Sequence, residues 1–240
     1  MAFTEIFERQ EYKYIVTKKQ KEKIMGAMKE HNMAIDAYGR TVIRNVYFDT
    51  ENYRLIRRSI ESPVYKEKLR VRSYELAKSD STVFVELKKK YNRIVYKRRI
   101  PLKTDRAEAW LSGKTQRPVD TQIAKEIDYF LSFYKTLRPV LFLSYEREAF
   151  FCKNGGELRI TFDENILSRQ NGLSLKEDAY GKYVLPPELT LMEIKCGGAM
   201  PKWLAKALSK NNLFKTSFSK YGNAYTNSIY PKLKEEIHYA

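Results

Sequence analysis

The chain has 240 residues, of which 43% are hydrophobic, and its formal net charge is +16 at pH 7. That length and apolar content predict a single folded domain over residues 1–240 and exclude a disordered chain. The excess of positive charge predicts an anionic partner, which can be nucleic acid, a membrane surface or a small polyanion.

The sequence also indicates the cellular compartment of the chain. Its two cysteines, Cys152 and Cys196, are far apart and lack metal-ligand spacing, which fits a reducing cytosol better than a disulfide framework. The first residues contain no apolar core of a signal peptide, and no segment has the length of a transmembrane helix. We therefore expect a cytoplasmic chain without direct membrane insertion, which a membrane-protein partner could recruit.

The first element is a strand predicted over residues 3–16, in which Arg9, Glu11 and Lys13 share one face and Tyr12 and Tyr14 share the other. A helix is predicted from there to about residue 31, because a threonine N-cap precedes an apolar stripe at helical spacing. A strand over residues 41–48 follows.

Residues 64–99 contain three consecutive strand-like segments with one charged and one largely apolar face. The charged faces hold Lys66, Lys68, Arg70 and Arg72 in the first segment, Phe84, Glu86, Lys88 and Lys90 in the second, and Arg93, Val95, Lys97 and Arg99 in the third. Successive side chains of a strand point to opposite sides of a sheet. Three such strands in succession therefore predict one broad basic surface.

Pro101 predicts the end of these strands, because proline lacks a backbone N–H. Helical patterns follow over residues 106–111 and 121–134. Further strands are predicted over residues 140–151, 158–166 and 189–196, with a polar loop over residues 170–187. Trp203 and Leu208 indicate another helix, and a last amphipathic segment follows Tyr221.

Roughly eight antiparallel strands with inserted helices predict an α+β fold, and eight strands are about the number that closes into a small barrel. The helices need an apolar surface, which the apolar strand faces provide. If the helices pack outside, the charged faces point inward. We therefore expect an eight-stranded antiparallel β-barrel that forms a tunnel with a charged interior. An open sheet with a solvated basic face is the alternative.

A charged tunnel must contain water and an anionic ligand, because burying an unpaired cation costs several kcal/mol. The predicted tunnel cations are Arg9, Lys13, Lys66, Lys68, Arg70, Arg72, Lys88, Lys97, Arg99, Arg147, Arg159 and Lys195. The acids among them are Glu11, Glu86, Asp163 and Glu193. Many cations and few carboxylates suit a chain of phosphates with a bound Mg²⁺ or Mn²⁺.

Other anion-binding classes fit the sequence less well. It contains no P-loop and no helix-turn-helix, zinc-finger or RNP-like pattern. A membrane β-barrel has no inserted helices and needs an export signal. Nucleic acid is therefore not the expected partner, although the charge alone leaves it as an alternative.

At these residues the chain resembles the VTC domain, the polyphosphate polymerase module of the CYTH/triphosphate tunnel metalloenzyme superfamily. The resemblance covers nearly the whole chain and rests on the order and spacing of short motifs. These are Glu8-Arg9-Gln10-Glu11-Tyr12-Lys13-Tyr14, Tyr47-Phe48-Asp49-Thr50, Lys68-Leu69-Arg70-Val71-Arg72, Phe84-Val85-Glu86-Leu87-Lys88, Tyr145-Glu146-Arg147, Arg159-Ile160-Thr161-Phe162-Asp163, Leu191-Met192-Glu193-Ile194-Lys195 and Ser219-Lys220-Tyr221.

The resemblance implies a role for each matched position. Catalytic phosphate-binding residues would be Lys13, Arg70, Arg72, Lys88, Lys97, Arg147, Arg159 and Lys220. Tyr145 and Ser219 would lie beside them and contribute to substrate binding. The other predicted tunnel cations, independent of the resemblance, are further candidate substrate-binding residues: Arg9, Lys66, Lys68, Arg99 and Lys195. The resemblance implies that Glu193 binds Mn²⁺ or Mg²⁺. Glu11 and Glu86, two of the acids among the tunnel cations, are further candidate metal ligands.

Two positions depart from the family pattern. Arg9 stands where the superfamily's hydrolases have a glutamate, and the loss of that carboxylate favours the VTC-type synthase over a two-metal triphosphatase. Ser217 stands where the polymerase has another basic residue.

The implied activity is transfer of the γ-phosphoryl group of ATP, or of another nucleoside triphosphate, to inorganic polyphosphate. The alternatives are a metal-dependent triphosphatase and a non-catalytic polyphosphate-binding module.

Overall fold

The computed structural model describes residues 10–61, 63–92, 94–153 and 155–238, with side chains up to residue 235. The strands are β1 (Gln10–Thr17), β2 (Met33–Asp49), β3 (Tyr65–Ser73), β4 (Thr82–Tyr91), β5 (Ile94–Lys103), β6 (Arg138–Cys152), β7 (Arg159–Arg169), β8 (Lys182–Tyr183) and β9 (Leu189–Cys196). The helices are α1 (Lys18–Glu30), α2 (Arg54–Ile60), α3 (Thr104–Leu111), α4 (Gln122–Tyr134), α5 (Lys202–Lys210), α6 (Lys220–Ala224) and α7 (Tyr230–His238), with a π-helical turn, Tyr225–Ile229, before α7.

The chain divides into two compact units, each built from three separate segments. Unit 1 contains residues 1–42, 145–166 and 185–218, and unit 2 contains residues 43–144, 167–184 and 219–240. Hydrogen bonding gives the strand order β1-β9-β7-β6-β2-β3-β4-β5, with β8 paired to β7. The registered pairs are antiparallel, for example β1 with β9 in unit 1 and β3 with β4 in unit 2.

In unit 2, the helices α3 and α4 cover the apolar face of β3, β4 and β5. Leu69, Val85 and Leu87 are fully buried in one cluster with Trp110 of α3 and Ile127 of α4. Because side chains alternate along a strand, burying these residues sets the charged residues of the same strands on the other face. The predicted packing of helices on the apolar strand faces is therefore found in unit 2.

Unit 1 has its own core, in which α1 and α5 pack on β1, β7 and β9. Val16, Phe162 and Met192 are buried together with Ile24 of α1 and Leu204 of α5.

Two partly buried ion pairs also fix α1 in unit 1. The Lys21 Nζ of α1 donates to Glu148 at 2.6 Å and to Glu164 at 2.8 Å.

The structure confirms several predicted local elements. Thr17 is the N-cap of α1, and it forms a capping box with Gln20. Both α3 and α4 lie at the predicted positions, and α4 begins after the N-cap Thr121. The strand predicted over residues 3–16 is described only from Gln10, so the predicted site residue Arg9 lies outside the described residues.

Other elements differ from the prediction. Pro101 does not end the basic strands, because β5 continues through it to Lys103. In the described residues β5 pairs only with β4, and a strand with one free edge tolerates a missing N–H. Helix α2 was not predicted. Its N-terminal amides Leu55 N and Ile56 N donate to the carboxylate of Asp49, which lies at the end of β2 and not at the N-cap position.

The predicted fold class, an antiparallel α+β fold with helices packed on the strands, is confirmed. Eight strands form the hydrogen-bonded order, as predicted, and the short β8 is a ninth; in the described residues hydrogen bonds do not close this order between β1 and β5. Among the described residues, no helix is both long enough and apolar enough to span a membrane.

Candidate functional site

The charged side of β3, β4 and β5 in unit 2 forms a surface that we call the basic face. It consists of Lys66, Lys68, Arg70, Arg72, Glu86, Lys88, Lys97 and Arg99. The register places Glu86 opposite Arg70 on one side and Arg99 on the other. The next row contains Lys68, Lys88 and Lys97 directly opposite one another across three strands. Like charges in directly opposite positions destabilise a sheet, so this row favours binding of an anion.

Glu86 lies at the centre of the basic face and is only 1% exposed. Its carboxylate is 2.7 Å from Arg70 Nη2 and 2.8 Å from Lys97 Nζ. The Nε atoms of Arg99 and Arg72 lie 3.5 Å and 3.9 Å away. One buried carboxylate therefore organises four cations of the basic face. This environment favours a role of Glu86 in orienting the cations over its predicted role as a metal ligand.

The same cations control the ionisation of Glu86. Burial by itself raises the pKa of this carboxyl, but Arg70, Arg72 and Lys97 outweigh burial and lower it to about 2. Because the folded-state pKa lies below the ordinary value of 4.5, the ionised carboxylate stabilises the fold above about pH 4.5. That contribution is lost as the pH falls towards 2.

We expect Glu86→Gln to lower the free energy of unfolding at pH 7 by about 3 kcal/mol, the energy that corresponds to this pKa difference. The difference between variant and wild type should shrink as the pH falls from 5 to 3. Urea unfolding over this range measures both effects. Glu188→Gln, an exposed change, is the control. Equal stabilities of Glu86→Gln and wild type at pH 7 would contradict the assignment.

Two motifs far apart in the sequence meet beside the basic face. Tyr221 donates to the Asp49 carboxylate at 2.9 Å, and its ring lies 4.8 Å from that of Tyr47. The Tyr47 hydroxyl in turn accepts a hydrogen bond from Arg70 at 3.1 Å. Asp49 is fully buried, and burial raises its pKa despite the hydrogen bonds it accepts.

The start of α6 also contacts the basic face. Lys68 Nζ lies 3.2 Å from the hydroxyl of Ser219, and Ser219 caps α6 through the amide of Gly222. Lys220 is the first residue of this helix, immediately before the buried Tyr221. Lys68 therefore contacts Ser219, and Lys220 follows Ser219 in the chain. All three residues were predicted to bind the substrate phosphates. Lys66 reaches the carbonyl of Ser59 at 3.2 Å.

Unit 1 contains a second charged group, which we call the mixed-charge cluster: Glu11, Lys13, Arg147, Asp163 and Glu193. Lys13 Nζ lies 3.0 Å from Glu11 and 3.8 Å from Glu193. Arg147 binds both oxygens of the fully buried Asp163, at 2.5 Å and 2.6 Å, and also contacts Glu193 at 3.1 Å. Strand pairing explains the cluster, because Lys13 of β1 lies opposite Glu193 of β9.

Burial would lower the pKa of Arg147, but Asp163 outweighs it, so the pKa lies above its ordinary value and the guanidinium stays charged. The guanidinium carbon also lies 5.1 Å from the ring centre of Tyr145.

The remaining predicted residues of unit 1 lie next to the mixed-charge cluster in the strand register. Lys195 of β9 is opposite both Glu11 and Arg159. Its Nζ lies 3.7 Å from Glu11, while the exposed side chain of Arg159 pairs with Asp36 at 3.3 Å. The position of Ser217, which departs from the family pattern, is exposed.

The described residues contain no group of three or more His, Cys, Asp or Glu side chains arranged to hold a metal ion. Glu11 and Glu193 nevertheless share Lys13 as a partner. Mg²⁺ is commonly held by one or two carboxylates together with substrate phosphates and water. The donor set therefore fits a metal that arrives with a phosphate substrate better than a permanently bound one.

A cavity of about 610 Å³ in unit 2 lies on the apolar side of the sheet, lined by Val46, Phe48, Ala107 and Leu111 among others. This lining lacks the density of cations that an extended polyanion requires. The basic face is the better candidate for the anion-binding surface of unit 2.

The fold matches that of solved structures. One is a Bacillus halodurans protein provisionally assigned as an adenylate cyclase, with a TM-score of 0.51, 15% identity, and coverage of 88% of this chain and 95% of that one. Another is a Hippeastrum protein, provisionally assigned as an adenylyl cyclase, for which a dominant triphosphatase activity is stated. Its TM-score is 0.51 at 13% identity, with 88% of this chain and 92% of that one covered.

At this identity the likeness shows the fold alone, an antiparallel α+β class. The chain belongs to the VTC domain family, whose model matches residues 8–229. No curated protein sequence matches the chain.

Proposed function

We propose that the protein is a polyphosphate polymerase, which transfers the γ-phosphoryl group of ATP to inorganic polyphosphate. The observation that supports this most directly is the row of Lys68, Lys88 and Lys97 on the basic face. Three directly opposed lysines concentrate positive charge in one row, and an anion lying over them relieves their mutual repulsion. A phosphate chain supplies repeated negative charge with many acceptor oxygens, and membership of the VTC domain family supports this ligand class.

In the proposed reaction, a terminal phosphate oxygen of polyphosphate attacks the γ-phosphorus of ATP. A P–O bond forms there, and the bond from the γ-phosphorus to the β–γ bridging oxygen breaks, so that ADP leaves with the electron pair. The attacking oxygen is already ionised, and the protein needs no general base. The contribution of the protein is positioning and charge neutralisation.

Each unit, taken by itself, contains cations that we propose as phosphate-binding groups. On the basic face they are Lys66, Lys68, Arg70, Arg72, Lys88, Lys97 and Arg99, with Ser219 and Lys220 of the α6 start. In unit 1 they are Lys13, Arg147, Arg159 and Lys195, with Tyr145 beside Arg147. Arginine guanidinium and lysine ammonium groups donate charge-assisted hydrogen bonds to phosphate oxygens, and these bonds are stronger than hydrogen bonds between neutral groups.

We assign the divalent metal, Mn²⁺ or Mg²⁺, to Glu193 with Glu11. When bound, this ion supplies Lewis-acid stabilisation of charge on the transferring phosphoryl group. Lys13 and Arg147 hold these carboxylates in place through the contacts of the mixed-charge cluster.

A second candidate function is hydrolysis of a triphosphate. The Hippeastrum protein of similar fold, for which a dominant triphosphatase activity is stated, favours it. Water would then replace polyphosphate as the acceptor of the phosphoryl group. Arg9, standing where the hydrolases have a glutamate, counts against a two-metal version of this reaction.

Incubation of the purified chain with ATP and Mn²⁺, with polymer and free phosphate resolved separately, tests the proposal. We expect polymer whose amount grows with time and exceeds the phosphate released. Free phosphate without polymer would favour the triphosphatase. If neither product forms but polyphosphate binds, the chain is a binding module.

A further inference from the structure

An aromatic pair lies at one end of the basic face. Tyr74 directly follows β3, and Phe84 lies on the same face of β4 as Glu86. The two rings meet edge to face, with centres 5.7 Å apart. Tyr74 remains 39% exposed, which leaves part of its ring accessible to a ligand.

Two arginines of the basic face hold this pair. The Arg99 guanidinium carbon lies 3.5 Å from the ring centre of Phe84, and Arg99 Nη2 donates to the Tyr74 hydroxyl at 3.3 Å. The Arg72 guanidinium carbon lies 5.9 Å from the ring centre of Tyr74. Cations over aromatic faces stabilise this arrangement, and they orient Tyr74 beside two phosphate-binding groups.

The order of groups along the strands matches that of a nucleoside triphosphate. Tyr74 comes first, followed by the rows of Arg72, of Arg70 with Arg99, and of the three lysines. In the ligand, the base is followed by the sugar, the α-phosphate and the terminal phosphates. Among the described residues of the basic face, only the Tyr74 end combines arginines with an accessible aromatic ring held by them.

We propose that Tyr74 is the base-stacking platform for the nucleoside triphosphate, with Phe84 and Arg99 fixing its ring. This inference rests on the proposed function, since it assumes that the basic face binds the phosphates. Aromatic stacking uses the π-face that every base has, so the site accepts different bases and prefers the larger purines. The predicted substrate class is therefore purine nucleoside triphosphates without strong discrimination between adenine and guanine.

Binding of ATP, GTP and tripolyphosphate to wild type and Tyr74→Leu, measured by calorimetry without divalent metal, tests this site. Tripolyphosphate has the phosphates but no base. We expect Tyr74→Leu to weaken ATP and GTP binding about tenfold, within the range for one stacked base, and to change tripolyphosphate affinity less than twofold. Tyr91→Leu, an exposed tyrosine at the other end of β4, is the matched control and should leave all three affinities unchanged.

The other outcomes overturn the base site in distinguishable ways. An equal loss for all three ligands would mean that Tyr74 only positions Arg72 and Arg99. Unchanged ATP and GTP affinities would exclude stacking on Tyr74 while leaving phosphate binding intact. Wild-type protein that binds none of the three ligands would contradict the proposed function and with it this inference.

Discussion

Lys88→Glu is expected to abolish phosphate binding while leaving the protein folded. Lys88 lies between Lys68 and Lys97 in the row of opposed lysines, and its side chain is exposed. The change places a carboxylate between two lysines in place of a third lysine, which does not oppose the cross-strand pairing. The same carboxylate repels phosphate and removes a charge-assisted bond, so tripolyphosphate affinity should fall at least about 100-fold.

A variant that stays folded but does not bind phosphate separates binding from folding. A purely structural lysine would lose affinity and stability together. The matched control is Lys89→Glu, which makes the same charge change one residue later in β4, where the side chain points to the other face of the sheet. Calorimetric titration with tripolyphosphate measures the affinity, and urea unfolding measures the free energy of unfolding. Loss of affinity of the same size in both variants would mean that net charge alone attracts the ligand.

Glu193→Gln is expected to reduce polymer formation at least about 100-fold, because a metal ion contributes several kcal/mol to phosphoryl transfer. Glutamine keeps the size of the side chain but loses the charge that a divalent ion needs. Binding of tripolyphosphate without metal should not weaken, because the change removes a negative charge from the mixed-charge cluster. Loss of metal-free binding would instead indicate that Glu193 acts by holding Arg147 and Lys13.

A second measurement makes the Glu193 assignment independent of turnover. Mn²⁺ binding in the presence of a non-hydrolysable ATP analogue, followed by electron paramagnetic resonance, should be lost in Glu193→Gln. Glu188→Gln, an exposed glutamate just before β9, should retain both metal binding and polymer formation. Unchanged Mn²⁺ binding in Glu193→Gln would place the metal elsewhere.

The faces of the central strands could be predicted from the sequence because they depend on local alternation. Each strand residue points opposite to its neighbour, so the basic run that includes Arg70 and Lys97 required no long-range information. The N-cap Thr17 is local in the same sense. These parts of the candidate site follow from neighbouring residues alone.

The other parts of the candidate site depend on strand register and on contacts between segments that are distant in the sequence. Glu86 becomes the centre of four cations only when three strands pair in one register. The contact of Asp49 with Tyr221 joins residues 172 apart, and Asp49 also caps an unpredicted helix. Tyr74 was not predicted as a site residue, although an aromatic residue two positions after Arg72 indicates a ring on the same side of the strand as the basic face.

The most direct test of the central claim compares ATP labelled at the γ-phosphorus with ATP labelled at the α-phosphorus, in the presence of short polyphosphate and Mn²⁺. Transfer of the γ-phosphoryl group predicts that the γ-label enters long polymer while the α-label stays in ADP. Release of the γ-label only as free phosphate, with the polyphosphate no longer than at the start, would contradict the polymerase.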